Sequence, residues 1–213
     1  VDGLAERADL DTARIDWVAL GNAIQAGIGQ VPARQVVVES GLPDETPVTT
    51  VNEASGSGVR AIALAADRIE AGRADFAVAG GFESMTNAPW ILPGYRKGRR
   101  HGDVTAKDSM ILDALWDVNL DVHMGEIAER LVDRAGDDYD LSRTAQDRYA
   151  LQSHRRAADA IDAGVYDAEI VPVDAPDGTV ERDEGPRPNS TMSDLSALPA
   201  AFRPDGTVTA ANA

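Results

Sequence analysis

Trp17-Val18-Ala19-Leu20 is a short unbroken apolar run before Gly21-Asn22 and predicts a buried strand. Pro32 to Glu39 reads as a helix closed by Ser40-Gly41. Pro suits a first turn, where its missing N–H costs nothing, and Gly suits the position past the end. Pro47 to Val51 is β-branched and predicts a second strand, running into Asn52-Glu53-Ala54-Ser55-Gly56-Ser57-Gly58. Val59, Ile62, Leu64, Ala66 and Ile69 recur with helical spacing over residues 59–71 and predict a helix packed through small side chains, ended by Gly72. Asp75 to Gly80 reads as a third buried strand, from which Gly81-Phe82-Glu83-Ser84 turns away. Residues 1–9 read as a helix with Leu4 and Ala8 on one face. Strand, helix and strand at this spacing form a βαβ unit, which demands parallel pairing and so an α/β fold.

After Pro89 the texture changes. Residues 94–102 are basic and Gly-rich, and helical patches follow near 108–117 and 123–135. A longer helix covers 142–163, with Ser142 as N-cap and Gly164 as its stop. Residues 169–173 read as an edge strand carrying Pro172, and 174–190 as a polar, Pro-rich segment. A boundary is expected near Ala88, dividing a βα layer from a mainly helical region.

The 213 residues, 43% of them apolar, suffice for a sizeable core. Lack of Cys excludes disulfides, Cys-ligated zinc, iron–sulfur centres and a thiol nucleophile inside this stretch. Three scattered His give no metal-ligand pattern, and no apolar run approaches the roughly 20 residues that span a bilayer. A cytoplasmic protein without membrane contact is expected. The net charge of −16 repels phosphate backbones and argues against nucleic-acid partners. Of 36 acids 25 are Asp, and 18 of the 20 bases are Arg. Such a surface suits a salt-filled cytoplasm, as in halophiles, because concentrated salt screens its self-repulsion; codon usage in a GC-rich genome is the alternative source. The chain opens at Val1 without an initiator Met and ends on Thr209-Ala210-Ala211-Asn212-Ala213, so a fragment is expected.

The segment from Val48 to Gly58 carries the sharpest chemical signal. A hydroxyl at a strand-to-helix turn sits beside unpaired helix N–H groups, which stabilise an attacking oxygen or an oxyanion. Glycines let a substrate approach the backbone. The same spacing also fits a Ser/Gly-rich helix cap without chemistry, and neither the dinucleotide nor the P-loop phosphate pattern is present.

Five ordered motifs resemble the thiolase family, the acetyl-CoA C-acyltransferases or β-ketothiolases. They are Gly21-Asn22-Ala23-Ile24-Gln25-Ala26-Gly27 with Pro32-Ala33-Arg34-Gln35; Thr50-Val51-Asn52 with Ser55-Gly56-Ser57-Gly58; Ala79-Gly80-Gly81-Phe82-Glu83-Ser84-Met85; His123-Met124-Gly125; and residues 206–213. The resemblance implies the layered αβαβα thiolase fold, with most of an N-terminal domain at 1–87 and a loop domain covering coenzyme A at 88–213. A preceding strand and a C-terminal domain bearing a catalytic His and a second Cys would lie outside this chain. It implies acyl transfer between acyl-CoA and acetyl-CoA, no permanently bound cofactor, coenzyme A thioesters as substrates, and homo- or hetero-oligomers.

Ser55 stands where the family has its nucleophilic Cys. A hydroxyl needs a well-placed base where a thiol ionises more readily, and an oxoester is a poorer acyl donor than a thioester. Three accounts stay open: Ser55 is a nucleophile activated by a His, the protein is a non-catalytic acyl-CoA-binding or scaffolding relative, or Ser55 is an engineered or erroneous replacement. By the same resemblance His123, Met124 and Arg187 hold coenzyme A, with Met124 an adaptable apolar wall and Arg187 at the nucleotide end. A structural histidine at a helix start is the alternative for His123. Asp194 replaces a small hydroxyl that some relatives carry near the ribose phosphate. His101 and His154 are expected to be solvated, and the basic 96–101 loop either solvated, drawn to phosphates or at a subunit contact.

Overall fold

The structure, a computed structural model, describes residues 1–213. The chain forms two compact units, Val1–Trp116 and Asp117–Ala213. The first is built on a parallel sheet of three strands, β1 (Trp17–Gly21), β2 (Val48–Val51) and β3 (Ala77–Gly81), in the order β2-β1-β3. The central strand is buried along its whole length and on both faces. Val18 and Leu20 pack with Ala33 and Val37 of helix α2 (Pro32–Glu39). Trp17 and Ala19 pack with Ala61 and Ala65 of helix α3 (Ser57–Glu70). A strand covered by helices on both faces reads as an unbroken apolar run rather than an alternating one, as Trp17–Leu20 does.

Helix α3 departs from the expected packing. Val59, Ile62 and Ile69 are 74%, 57% and 43% exposed, and Ala61 and Ala65 face the sheet instead. Glycine explains the choice of face. A Cβ built on Gly21 would lie 2.5 Å from the Ser57 carbonyl carbon, and one on Gly81 3.2 Å from the Gly21 oxygen. The start of α3 thus rests on strand ends that lack side chains, which only its small residues can approach. In the N-terminal helix α1 (Asp2–Arg7) Ala5 is buried and Leu4 is 55% exposed, so Ala5 rather than Leu4 marks the inner face.

Trp90–Ile91 pairs antiparallel with Lys107–Asp108 around the exposed basic loop, and Ile111–Leu115 forms a π-helical turn. These segments cluster with the first unit, so the physical division falls at Trp116, past the change of sequence texture near Ala88.

The second unit contains helices α4 (Met124–Ala135), α5 (Arg143–Asp162) and α6 (Met192–Ser196). The Ser142 hydroxyl caps α5 by accepting from the Ala145 N–H, and Gly164 leaves it at φ +70°. The strand expected at 169–173 forms instead at Val173–Ala175, paired with Gly178–Val180 in a hairpin. Pro172 lacks the N–H for a ladder, and the chain from Tyr166 to Glu169 is spent on turns.

Candidate active site

The β2–α3 turn holds Ser55 in the open, without a hydrogen-bond partner for its hydroxyl in the chain. Ala54, immediately before it, is held at φ +49°. A left-handed non-glycine residue costs on the order of 1 kcal/mol and persists only where its neighbours impose it. Three contacts do so. The Ala54 N–H donates to Asn52 Oδ1 at 3.1 Å. The buried Ser57 hydroxyl accepts from the Glu53 N–H at 2.9 Å and donates to the Ala54 carbonyl at 2.5 Å. Asn52 is tied in turn through its Nδ2 to the Ala23 carbonyl at 3.1 Å. Ser55 therefore sits on a sharp, internally braced elbow just before the 14-residue α3, whose N-terminal dipole favours developing negative charge. Glu53, the nearest carboxylate in sequence, is paired with Arg60 at 3.1 Å.

The elbow lies at the carboxyl end of the sheet, where the connections leaving β1 and β2 part to opposite faces; this crevice is the usual ligand site of open α/β sheets. Glu83, past the end of β3, braces the neighbouring loop. Its carboxylate accepts from the Ala23 N–H at 2.9 Å, the Ile24 N–H at 3.0 Å and Asn22 Nδ2 at 2.7 Å. Sequence reasoning did not single out Glu83 or Ser57. The partners of Ser57 are backbone groups, and those of Glu83, two backbone N–H groups and the Asn22 carboxamide, lie some sixty residues away.

The second unit carries the other expected residues. His123 is the N-cap of α4: its Nδ1 accepts from the Gly125 N–H at 3.0 Å, which leaves the proton of the neutral ring on Nε2. Its ring stacks on Phe202 with centroids 4.8 Å apart. The helix-start role is thus realised, and Nε2 is left to donate. Met124 follows, 46% exposed. Arg187 is exposed, and its backbone N–H donates to His154 Nδ1 at 3.2 Å, so His154 is a half-buried partner of the 183–188 segment rather than a free surface residue. No hydrogen bond or ring contact joins His123 or Met124 to Arg187. Asp194 is spent in a capping box, accepting from the Thr191 N–H and hydroxyl.

Two buried acids hold the terminal segment in place. Glu129, wholly buried, accepts from the Thr207 N–H, the Thr207 hydroxyl and the Val208 N–H at 2.8–3.1 Å. Burial opposes its ionisation, but these donors and the Arg203 guanidinium outweigh it and hold the carboxyl below its ordinary value. Asp147 accepts from Arg143 Nε at 2.8 Å and Asn212 Nδ2 at 2.9 Å. The sequence left both unmarked, because the groups of the terminal segment that they hold are 65 or more residues away. No group of three or more His, Asp or Glu is placed to hold a metal ion. No helix is long and apolar enough to cross a membrane.

The family model for the thiolase N-terminal domain matches residues 1–213. A probable acetyl-CoA acyltransferase of Staphylococcus epidermidis is 44% identical over 99% of this chain and 54% of its own length. An acetyl-CoA acetyltransferase of Pseudomonas aeruginosa is 43% identical over the same shares. The solved acetyl-CoA acetyltransferase of Syntrophomonas wolfei superposes with a TM-score of 0.88 at 35% identity, covering 98% of this chain and 52% of that one. The chain spans about half the length of the relatives it matches. With its parallel sheet, braced elbow and five ordered motifs, the chain belongs to the thiolase family.

Proposed function

We propose that this chain carries the nucleophile of an acetyl-CoA C-acyltransferase of the β-ketothiolase type. The observation that carries the reading is the exposed Ser55 on its braced elbow at the start of α3. In the proposed step Ser55 Oγ attacks the thioester carbonyl of an acyl-CoA. The new C–O bond replaces the C–S bond, the hydroxyl proton passes to a base, and coenzyme A leaves as its thiol. In condensation a base removes an α-proton from acetyl-CoA, the α-carbon takes the acyl group, and the Ser55 hydroxyl is regenerated. In thiolysis Ser55 Oγ instead attacks the β-keto carbon of a 3-oxoacyl-CoA. The C–C bond breaks, acetyl-CoA leaves after protonation of its α-carbon, and the acyl group passes to the thiol of coenzyme A. The Ser55 backbone N–H and the α3 dipole stabilise the tetrahedral oxyanion. Family resemblance supplies the rest: His123 Nε2, Met124 and Arg187 hold coenzyme A within a loop domain at 88–213, and the acid–base residues come from the C-terminal domain of the family fold. Coenzyme A thioesters are substrates and no cofactor is held permanently. The protein works as a homo- or hetero-oligomer in a salt-rich cytoplasm.

The test is thiolysis of acetoacetyl-CoA by the full-length protein in concentrated KCl. Ser55→Ala is expected to lower kcat at least about 1,000-fold with little change in KM. Ser55→Cys is expected to keep or raise the rate, because the thiolate is the better nucleophile and the thioester the better acyl donor. Turnover unchanged in Ser55→Ala contradicts the nucleophile. A Ser55-independent absence of turnover, with coenzyme A still bound, selects the non-catalytic binding subunit instead.

A further inference from the structure

A cavity of about 260 Å³ opens beside the β1–α2 loop, and Ser55 is not among its lining residues. Its walls are apolar: Ile24, Ile28, Pro32, Val36, Phe82 and Pro89. Three carboxamides also line it, and each has its NH₂ group turned to the protein. Asn22 Nδ2 donates to the Phe82 carbonyl at 3.0 Å and Glu83 Oε1 at 2.7 Å. Gln35 Nε2 donates to the Ile28 and Gln30 carbonyls at 2.8 and 3.1 Å. Asn87 Nδ2 donates to the Ser84 hydroxyl at 2.9 Å. The three amide oxygens are left without a partner in the chain, and that of Asn22 is buried, the residue being 3% exposed. Because the Asn22 NH₂ already faces two acceptors, exchanging its oxygen and nitrogen would set a carbonyl against both and cannot relieve the orphan.

Glu39 adds a carboxylate to the lining, and no Lys or Arg contributes. Acceptors on apolar walls, with no competing cation, define the occupant. It must bring several donors, preferably a positive charge, and a short hydrocarbon body. A bare metal ion matches the oxygens and wastes the walls; an alcohol or alkane matches the walls and leaves acceptors unpaired. We propose that this cavity is a binding site for a short aliphatic primary ammonium ion, its head on the Asn22 carboxamide oxygen and its chain against Ile24, Ile28 and Val36. The Glu39 carboxylate supplies the charge at the mouth. The lining does not include Ser55, and the site stands whether or not Ser55 is acylated.

The test is calorimetric titration and amide-shift mapping of the full chain with n-butylammonium chloride, ionic strength being held constant with NaCl. Saturable binding with a Kd on the order of 1 mM is expected for so small a ligand, with shifts centred on residues 22–36. 1-Butanol should bind at least about tenfold more weakly, and tetramethylammonium, which has no N–H, should not bind. Glu39→Lys, at an exposed position, should weaken binding about tenfold or more without changing Tm, and Ile28→Trp, which fills the space, should abolish it. KCl reproducing the butylammonium shifts would make this a bare-cation site. Butanol binding as well as the amine would reduce it to an apolar void. Either result, no saturable binding, or indifference to both substitutions overturns the proposal.

Discussion

The Ser57 hydroxyl holds two backbone groups at the strained Ala54, the Glu53 N–H and the Ala54 carbonyl. Removing it leaves the Glu53 N–H without this partner, while the Ala54 carbonyl keeps the Ser57 N–H at 3.1 Å, a loss that costs about 1–3 kcal/mol. Ser57→Ala should therefore lower Tm and relax Ala54 toward ordinary φ, visible as faster hydrogen exchange at Glu53; unchanged exchange would mean that other contacts impose the turn. Glu129 gives a second prediction, with a pH sign. Its carboxyl is held below the ordinary value, so the unfolded chain takes up the proton first as pH falls. The stability it provides is full above the ordinary glutamate range and drains away as pH drops through the lower folded value. Glu129→Gln should cost about 2–4 kcal/mol at neutral pH and flatten the acid limb of a Tm–pH curve. An equally steep acid limb in the variant would assign that loss to other carboxylates.

Among elements, the join of α3 to the strand ends decides where Ser55 stands. A Cβ on Gly21 meets the backbone of Ser57 at 2.5 Å, whereas one on Gly58 finds its nearest neighbour, Gly80, at 3.9 Å. Gly21→Ala should destabilise the fold by about 1–3 kcal/mol and push the elbow outward, while Gly58→Ala should be tolerated and gain up to about 1 kcal/mol of helix propensity. Equal Tm values for the two would refute the glycine-set approach. Elements of this kind were largely legible. The buried run Trp17–Leu20, the Pro32 start of α2 and the Ser142 cap of α5 each obey a local rule, and each forms where that rule puts it. What local rules do not carry is the facing of an element. Val59, Ile62 and Ile69 make a good helical stripe, yet the sheet meets the alanine face, because the deciding contact belongs to glycines in two other strands. The same limit hid Glu83 and Glu129, whose partners are distant backbone or side-chain groups, and the tie from Asp147 to Asn212, 65 residues on. Ser55 was legible from its turn, but the bracing of that turn was not.

For the whole molecule the net charge and the uncovered face of α3 matter most. At −16, self-repulsion opposes compactness, and ions screen it over about 10 Å at 0.1 M salt and about 3 Å at 1 M. Tm should rise steeply as KCl is raised from 0.1 to several molar; a flat profile would return the Asp and Arg bias to genome composition. The exposed Val59–Ile62–Ile69 stripe is an apolar face of the helix that follows Ser55, and the layered αβαβα plan implied by the family resemblance would cover it. The account as a whole rests on the hydroxyl of Ser55. The most direct measurement is peptide mapping by mass spectrometry after the full-length protein has been mixed with acetyl-CoA in concentrated KCl and quenched in acid. The account predicts one acetyl group on the peptide bearing Ser55, absent in Ser55→Ala and lost when coenzyme A is added before the quench. A Ser55 peptide that stays unmodified while the protein turns over, or an acetyl group that resides elsewhere, would contradict it.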